Sequence, residues 1–378
     1  MARHRLESEK ANSPGTADES SVNDCTVMFE QMSLSVLSLI FAAAAAVVWI
    51  AGIYVSKTTD VLSSRFGLGE ALGGVILLAI VTNLPEIAIT ASAALRNQLG
   101  LATGNILGGI AIQTVVLVIL DAFGLGKSAP LTYRAASLDL VLEAVLVVAM
   151  LSLTVMGHQL PGSLIWRGIT PDDVLICGTW IAGIYLIGKA RNGLPWQSHG
   201  DAPGGQRHRT ERQKKEKADA KKSSTAWAAI VFIIAAAATL IAGVALQQTS
   251  ETIAKEIGMT GVVFGATILA AVTALPEVST GLAAIRLGDH KLAVSDIFGG
   301  NAFLPVVFLV ATLVSGKSVL PQAQKSDMYL TALGILLTAV YIFGLIFRPR
   351  RQIARMGIDS IVVLVLYVIG VAGLFAID

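Results

Sequence analysis

VTNLPEIAIT, residues 81–90, lies within a run of apolar residues long enough to cross a bilayer. It places a carboxylate, Glu86, directly after Pro85. A charge inside the hydrocarbon costs several kcal/mol, and a proline inside a helix costs about 3 kcal/mol. The same combination returns as Pro276 and Glu277 in VTALPEVSTG, residues 272–281. A proline and a buried charge each destabilise a membrane helix, yet the sequence places them side by side in both motifs. This repetition indicates that both motifs belong to a functional site.

The composition is that of a membrane protein. The chain has 378 residues, of which 54% are hydrophobic and only 14% are charged, and its mean hydropathy is +0.70. A soluble domain has about 25% charged residues. The apolar runs are continuous and about twenty residues long, whereas the strands of a membrane barrel alternate apolar and polar residues. We therefore expect an all-α polytopic membrane protein.

We predict ten spans, five on each side of a polar linker. The spans of the first half lie at about 35–55, 70–95, 99–121, 138–157 and 172–189. Those of the second half lie at about 226–246, 261–286, 291–314, 327–347 and 357–377. The sequence is thereby divided into a polar, disordered tail (1–33), a first five-helix repeat (34–190), a basic linker (191–224) and a second five-helix repeat (225–378).

The basic residues predict the orientation. If the spans alternate, 20 of the 28 Lys and Arg residues fall on the side of the linker and 8 on the other side. Without the linker the split is still 10 against 8 in the same direction. Cytoplasmic loops carry the excess of Lys and Arg. The linker is therefore expected in the cytoplasm, with both termini outside, and the membrane is expected to be the plasma (inner) membrane.

The two halves contain an internal repeat. Shifting the sequence by 191 residues aligns the segment at about 73–113 with the segment at about 264–304 without a gap, and the shared residues include the threonine, proline and glutamate of each opening motif. Each half has five spans, an odd number, so the second copy enters the membrane from the opposite side. Inverted repeats of this kind build transporters whose site lies near the membrane midplane, often on broken helices.

The repeated motif supplies oxygen ligands. Thr82 and Glu86 lie four residues apart, as do Thr273 and Glu277, so each pair shares a helical face. A proline also frees a backbone carbonyl one turn earlier. Hard cations such as Ca²⁺ and Na⁺ take oxygen ligands, and two facing carboxylates are also natural proton acceptors. We therefore predict a cation site at Glu86 and Glu277, with the two threonines as further ligands.

Other polar or small residues accompany the motifs, and their roles stay open between structure and transport. Packing is at least as good an explanation for the glycine pairs as ligand contact, and helix capping or helix-to-helix hydrogen bonding competes with an ion path for Asn105 and Asp296. The candidates for secondary ligands or ion path are Asn83, Gln113, Asn105, Asp296 and Asn301. The candidates for helix breaking or close packing are Pro85, Pro276, Gly108, Gly109, Gly299 and Gly300.

The motifs TNLPE and TALPE, each followed nineteen residues after its glutamate by NILGG or DIFGG, resemble the two α-repeats of the sodium/calcium exchanger family, within the cation/calcium antiporter superfamily. That family has the pattern Gly-Thr-Ser-x-Pro-Glu followed by Gly-Asn-x-x-Gly-Ser-Asn, and ten helices in two inverted halves. The resemblance implies that Thr82, Glu86, Thr273 and Glu277 coordinate the ion.

The chain also departs from the family pattern. The serine after each threonine is Asn83 in one copy and Ala274 in the other, and glycine replaces the serine of each Gly-Ser pair. One turn further, Gln113 can replace the family's Asn or Asp, whereas Leu304 cannot coordinate anything. A poorer ligand set should hold fewer ions at once. This favours exchange of one divalent cation against protons or fewer Na⁺ ions.

The function predicted from the sequence is therefore secondary active antiport of Ca²⁺ or another divalent cation against Na⁺ or H⁺. The alternative is a non-transporting sensor or assembly protein on a degenerate exchanger scaffold, which the thinned ligand set motivates. An enzyme is not expected, because the sequence has no H-E-x-x-H, no G-x-S-x-G and no phosphate-binding loop. The expected partners are inorganic cations and the lipid bilayer, with no nucleic acid and no resident cofactor.

Overall fold

The computed structural model describes residues 32–65, 79–126, 129–191, 193 and 224–377. The tail 1–31 and most of the linker fall outside these ranges, so the predictions made for them are not addressed by the structure. Among the described residues, nine helices are long and apolar enough to cross a membrane. The predicted second span is described only from residue 79 onward, where a short apolar helix, Leu84–Leu95, forms its second half.

The described residues of the first half form the following helices. They are α1 (Leu34–Arg65), α2 (Leu84–Leu95), α3 (Leu99–Gly124), α4 (Leu131–Ala135), α5 (Leu138–His158) and α6 (Pro171–Arg191). The first helix is longer than the predicted span 35–55, since it continues through the mostly polar residues 56–64 as far as Arg65.

The second half follows the same plan. Its helices are α7 (Thr225–Glu256), α8 (Gly261–Phe264), α9 (Ala270–Thr273), α10 (Leu275–Arg286), α11 (His290–Phe303), α12 (Val307–Ser315), α13 (Lys325–Phe347) and α14 (Ile358–Ile377). A π-helical turn, Gly265–Leu269, joins α8 to α9, and 3₁₀ turns cover Leu304–Val306 and Leu320–Gln322. A two-stranded antiparallel hairpin of β1 (Gln352–Ile353) and β2 (Met356–Gly357) precedes α14.

The repeat extends beyond the motif helices into α1 and α7. Gly52 lies so close to Pro276 that a Cβ at this glycine would sit 2.7 Å from the proline Cβ. Gly243, 191 residues later, faces Pro85 and Ala88 in the same way, and its Cβ would sit 2.8 Å from the Ala88 Cβ. Each half therefore presses a glycine of its first helix onto the motif of the other half. The IAG triplets at 50–52 and 241–243 are the sequence trace of this relation.

The pseudo-two-fold axis passes between α3 and α11. The Asn301 side-chain amide donates to the backbone oxygen of Ile110 at 3.3 Å, and these two residues are separated by the repeat offset of 191. The same amide donates to the Thr114 hydroxyl at 3.2 Å. A position that contacts its own counterpart must lie at the symmetry axis. The inverted five-helix repeats predicted from the sequence are thus present in the structure.

One end of the helix bundle, which we call the linker side, is where α6 ends at Arg191 and α7 begins at Thr225. α5 and α6 are joined by a short connection, so the start of α5 lies on this side as well. There Asp139 of α5 pairs with Lys291 of α11. The start of α11 is therefore also on the linker side, together with the end of α10.

Asp121 connects three elements on the linker side. One carboxylate oxygen accepts from the Leu131 backbone N–H at 2.7 Å. The other accepts from the Gly357 backbone N–H at 2.6 Å and from the Ser360 hydroxyl at 2.8 Å. The buried carboxylate thereby ties the end of α3 to α4 and to the start of α14. Hydrogen bonds to a charged group are worth about 1.5–3 kcal/mol each.

Candidate functional site

Both motif helices break at equivalent residues. α2 begins at Leu84 after Asn83, and α10 begins at Leu275 after Ala274, so each break lies three residues before a glutamate. The motif prolines occupy the second position of each new helix, where the missing N–H would have had no helical partner. The prolines therefore start short helices of 12 residues in both copies, instead of kinking continuous ones.

The two glutamates lie in the first turns of these short helices and come together in the middle of the protein. Glu86 is fully buried, and Glu277 is 3% exposed. Their carboxylates are close enough to repel each other electrostatically. Within the described residues, none of their four carboxylate oxygens has a hydrogen-bond partner. Helix N-termini favour negative charge, but a buried carboxylate that is not hydrogen-bonded still requires a counter-ion or a proton.

The two threonines predicted as ligands lie at the same level and are buried. Thr273 of the second repeat lies beside the Glu86 carboxylate of the first repeat. Its hydroxyl donates to the Ala270 backbone oxygen at 3.2 Å, which leaves the hydroxyl oxygen as an acceptor or ligand. Thr82 occupies the equivalent place before the other break. The structure thus brings Glu86, Glu277 and Thr273 to one site, as the sequence predicts.

Two amides line the site next to Gly300. A Cβ at Gly300 would lie 3.3 Å from the Asn83 side-chain nitrogen and 3.4 Å from the Gln113 side-chain oxygen. Asn83 donates to the Ala79 backbone oxygen at 2.6 Å, which orients its own oxygen. That oxygen and both polar atoms of the Gln113 amide are buried and accept or donate no hydrogen bond to described residues. We call Asn83, Gln113 and Gly300 the amide half of the site.

The equivalent positions of the other half are apolar. They are Ala274, Leu304 and Gly109, and a Cβ at Gly109 would lie 3.5 Å from a methyl group of Leu304. Leu304 is fully buried. The same backbone crossing that brings Gln113 to Gly300 therefore brings Leu304 to Gly109. We call these three residues the apolar half, and the asymmetry predicted from the sequence is an asymmetry in space.

Helix capping is the wrong explanation for Asn105 and Asp296. Asn105 lies inside α3 and is fully buried, and its amide forms no hydrogen bond with described residues. The cap of α11 is Asp289, which accepts from the Leu292 N–H at 3.1 Å, and not Asp296. Asp296 instead accepts a hydrogen bond from the Thr280 hydroxyl of α10 at 3.1 Å. It also lies close enough to Glu277 for the two charges to interact.

The remaining candidates divide between packing and open space. Asn301 bonds across the symmetry axis, as described above. Gly108 allows α3 to approach the π-helical turn, because a Cβ there would overlap with Ala266. Around Gly299, no atom of a described residue lies within 4 Å of where a Cβ would be. Close packing therefore accounts for Gly108, whereas the described residues show no packing role for Gly299.

Sequence reasoning missed Thr280. It lies one turn after Glu277 and bridges two elements, since its hydroxyl contacts the Glu277 backbone oxygen at 3.3 Å as well as Asp296. A comparison of the two halves along the repeat offset contained the signal, because the residue 191 positions earlier is Ile89. Within the described ranges, no group of three or more His, Cys, Asp or Glu side chains is placed to hold a metal ion.

Buried acids on broken helices at the interface of two inverted repeats define a membrane transporter, and not an enzyme. The sequence matches the family described as sodium/calcium exchanger protein over residues 36–169 and 227–376, well over half of the chain. The chain belongs to this family of cation antiporters. The resemblance noted from the two motifs is thereby confirmed.

Two curated relatives are 25% identical to the chain. One is described as an antiporter, CaxA, from Alkalimonas amylolytica, and the match spans 312 residues, 82% of this chain and 89% of the relative. The other is the inner membrane protein YrbG of Escherichia coli K12, matched over 280 residues, 71% of this chain and 77% of the relative.

Solved structures share the fold at low identity. YfkE superposes with a TM-score of 0.59 at 18% identity, over 89% of this chain and 92% of that one. The H⁺/Ca²⁺ exchanger CAX gives 0.58 at 14% identity, over 93% and 90%. The sodium–calcium exchanger NCX_Mj gives 0.55 at 16% identity, over 90% and 99%. At these identities the likeness supports the ten-helix, two-repeat architecture.

Proposed function

We propose that the chain is a secondary active antiporter that exchanges Ca²⁺, or another divalent cation, for Na⁺ or H⁺ by alternating access. The observation that carries this proposal is the pair of buried carboxylates, Glu86 and Glu277, whose oxygens have no partner among the described residues. One divalent cation neutralises both charges, as do two protons or two Na⁺ ions. The cations are the cargo, and no resident cofactor is needed.

Coupling follows from the electrostatics of the empty site. Two uncompensated carboxylates in a low-dielectric interior are costly, so the conformational change is disfavoured until cations or protons neutralise them. Because both cargo ions use Glu86 and Glu277, only one kind can occupy the pair at a time. Binding of one ion therefore requires release of the other, which is the physical basis of exchange.

The ligand set favours protons, or few Na⁺ ions, as the counter-transported species. The apolar half, with Ala274, Leu304 and Gly109, provides no side-chain oxygen for an additional cation. The amide half provides neutral groups that can hydrogen-bond a protonated glutamate, because an amide both donates and accepts. The stoichiometry is therefore expected to be one divalent cation against two monovalent charges or slightly more.

We further propose that the linker faces the cytoplasm of a cell whose inner membrane holds the protein. The excess of Lys and Arg on the linker side supports this orientation. The description of the relative YrbG as an inner membrane protein supports the location.

The test is cation flux in liposomes that contain the purified protein. Radioactive Ca²⁺ uptake is measured with an imposed pH gradient, with an imposed Na⁺ gradient, and with neither. Glu86→Gln and Glu277→Gln should each reduce the rate about 100-fold or more, since about 3 kcal/mol of lost charge pairing corresponds to that ratio. Glu143→Gln, at a buried glutamate of α5, is the matched control and should transport like wild type.

Each outcome separates the alternatives. Uptake driven by pH without Na⁺ supports proton exchange, whereas strict Na⁺ dependence with high cooperativity contradicts the small stoichiometry. If both glutamine variants transport like wild type, the site is elsewhere. If wild type binds Ca²⁺ but carries no flux under any gradient, the alternative of a sensor on an exchanger scaffold replaces antiport.

A further inference from the structure

Two buried aspartates meet on the linker side, away from the central glutamates. Asp121 lies near the end of α3 and Asp359 near the start of α14, and they are 1% and 6% exposed. A Cβ at Gly357 would lie 3.3 Å from an Asp121 oxygen and would overlap with an Asp359 oxygen, so the two carboxylates flank one glycine. Their charges interact. Asp121 follows Gln113 by eight residues, about 12 Å along α3, so this pair is separate from the central site.

The two carboxylates differ in their hydrogen bonds. Asp121 accepts the three hydrogen bonds described above. Neither oxygen of Asp359 accepts a hydrogen bond of normal geometry from a described residue. The Thr132 hydroxyl of α4 faces Asp359 without being aligned for a hydrogen bond, and it is also buried and without a hydrogen-bond partner in the described chain. A buried carboxylate and a buried hydroxyl therefore face each other with unused ligand atoms, which costs free energy unless a ligand binds there.

The nearby arginines do not neutralise the pair. Arg348, after the end of α13, lies 5.0 Å from the centre of the Tyr133 ring and donates to the Tyr133 backbone oxygen at 3.4 Å. Arg350 lies 5.2 Å from the same ring and donates to its hydroxyl at 3.0 Å. Arg134 contacts the His290 ring at 3.4 Å. No ion pair joins an arginine to either aspartate among the described residues, so two ionised carboxylates here would lack a compensating charge.

The opposite end of the bundle has an equivalent arrangement, 187 residues earlier in the chain. There Asp172, in the first turn of α6, packs against Gly157 of α5, as Asp359 packs against Gly344 of α13. A methyl group of Leu320 also contacts Gly157, whereas the three atoms nearest a Cβ at Gly344 all belong to Asp359. Only one oxygen of Asp172 is both buried and without a hydrogen-bond partner in the described chain, against both oxygens of Asp359. The linker-side copy therefore has more unused ligand atoms.

Docking of the last span of each half does not account for Asp359. At the end away from the linker, Thr312 of α12 donates to Asp173 of α6 at 3.4 Å. On the linker side, Ser360 of α14 donates to Asp121 of α3 at 2.8 Å. Thr312 follows Asp121 by the repeat offset of 191, and Ser360 follows Asp173 by 187, so the same bond recurs with hydroxyl and carboxylate exchanged. This bond holds the last span in both halves without the neighbouring helix-start aspartate.

We propose that Asp359, Asp121 and Thr132 form a second cation site, which binds one Ca²⁺ on the linker side as a structural ion and not as cargo. The charge of the ion equals that of the two carboxylates. Both Asp359 oxygens can bind the same ion, a bidentate mode that Ca²⁺ accepts, and the Thr132 hydroxyl adds a neutral oxygen. Water completes the six to eight ligands that Ca²⁺ takes. Mg²⁺ demands near-ideal octahedral geometry and should bind more weakly.

The experiment uses the full chain with the central site disabled by Glu86→Gln/Glu277→Gln, purified in detergent. Equilibrium binding of radioactive Ca²⁺ should still give about one ion per chain, and Ca²⁺ should raise the thermal midpoint. Asp359→Asn in this background should lose both the binding and the Ca²⁺-dependent rise. Its midpoint without Ca²⁺ should be equal or higher, because an uncompensated buried charge is removed. Asp172→Asn is the matched control at the opposite end and should bind Ca²⁺ like the background.

Two threonine variants separate a ligand role from a packing role. In the same background, Thr132→Val keeps the volume and removes the hydroxyl, so it should weaken Ca²⁺ binding about tenfold, whereas Thr132→Ser should bind Ca²⁺ like the background. Absence of Ca²⁺ binding when only the two glutamates are changed, or unchanged binding after Asp359→Asn, overturns the second site. A pair that shares a proton would leave the midpoint unresponsive to Ca²⁺, which also overturns it. The antiport function is tested separately, because these measurements involve no flux.

Discussion

In the first repeat, an amide, Asn83, occupies the helix break before the glutamate, and a second amide, Gln113, reaches the same place from the neighbouring helix. In the second repeat, Ala274 and Leu304 occupy the equivalent positions. The backbones of the two halves nevertheless agree, because each helix breaks at the same residue of the motif and each short helix has 12 residues. The duplicated backbone therefore creates equivalent positions for ion ligands in both halves, but only the first half has side chains with ligand atoms at these positions.

The two halves also differ in how well their buried groups are satisfied. The apolar half packs as an ordinary core, with Leu304 against Gly109, and needs nothing further. The amide half leaves the Gln113 amide and the Asn83 oxygen without partners among the described residues. A buried polar group without a partner costs about 1–3 kcal/mol, so the amide half is less stable when empty and gains more from a bound ion. The apolar half is therefore suited to packing, whereas the amide half is suited to binding an ion.

The largest effect is expected from placing an amide in the apolar half. Leu304→Gln removes a buried alkyl group and adds an amide with no partner, and together these should cost about 3 kcal/mol or more of stability. Differential scanning fluorimetry in detergent should show a lower midpoint, with Ca²⁺ restoring more of it than in wild type. Leu304→Met, which keeps volume and polarity, is the control and should cost less than about 1.5 kcal/mol. An unchanged midpoint in Leu304→Gln would show that the two halves are equally tolerant of polarity.

The next prediction concerns the glycine contacts of α1 and α7, which are the same in both halves. Gly52→Ala and Gly243→Ala each add a methyl group that would lie 2.7–2.8 Å from the facing motif helix. Each should lower the transport rate and cost about 1–3 kcal/mol, the usual range for overpacking, because the helices must separate. Gly299→Ala is the control, since the described residues leave its Cβ position open. If only one of the two glycine variants loses transport activity, the two contacts have the same geometry but contribute differently to transport.

Gln113→Leu should change stability and binding in opposite directions. Removing an amide that has no partner should stabilise the cation-free protein by about 1 kcal/mol, while the loss of a candidate ligand should weaken Ca²⁺ binding about tenfold. The thermal midpoint and equilibrium Ca²⁺ binding are measured on the same preparation. Gln247→Leu is the matched control, because this buried amide accepts from Ser92 at 2.7 Å and donates to Gln98. It should destabilise the protein, and a destabilised Gln113→Leu would refute the distinction.

The smallest effect is expected at Asn105, the counterpart of Asp296 in the first repeat. Asn105→Ala removes a buried amide without a partner in the described chain and leaves a small cavity. These two contributions oppose each other, so the stability should change by about 1 kcal/mol or less. Ca²⁺ flux, measured in the liposome assay described for the two glutamine variants, should stay within about twofold of wild type. A tenfold loss would mean that both halves contain a transport path of equal importance.

Much of this site can be predicted from the sequence, because a motif that occurs in both repeats is unlikely to be accidental. Pro85 and Glu86 alone are compatible with a kink and a stray charge, but their return at Pro276 and Glu277 predicts broken helices at a shared site. The family resemblance and the loss of ligands at Leu304 followed from the same alignment. Identical residue types at a constant offset can be recognised in the sequence alone. The inverted topology then predicts that the two motifs face each other.

The remaining features depend on contacts that no spacing shows. Asp296 and Asn105 have similar positions in their helices, yet one bonds Thr280 and the other bonds nothing in the described chain. The three hydrogen bonds of Asp121 come from residues 10 to 239 positions away. Thr280 does not stand out in the sequence, because the repeat pattern marks the residues that the two copies share, whereas the copies differ at this position.

The bond between Asn301 and Ile110 bears on how the two repeats became one chain. Thr114, which accepts the second bond from Asn301, corresponds to Pro305 in the other copy. A homodimer of the second repeat alone would set two asparagines against each other and offer no hydroxyl, and a homodimer of the first would offer the hydroxyl and no amide. The bond to the backbone oxygen could form with any residue there, but the bond between Asn301 and Thr114 can exist only between unlike partners. A two-fold assembly of identical repeats would lack this bond, so the two halves are not interchangeable at the axis.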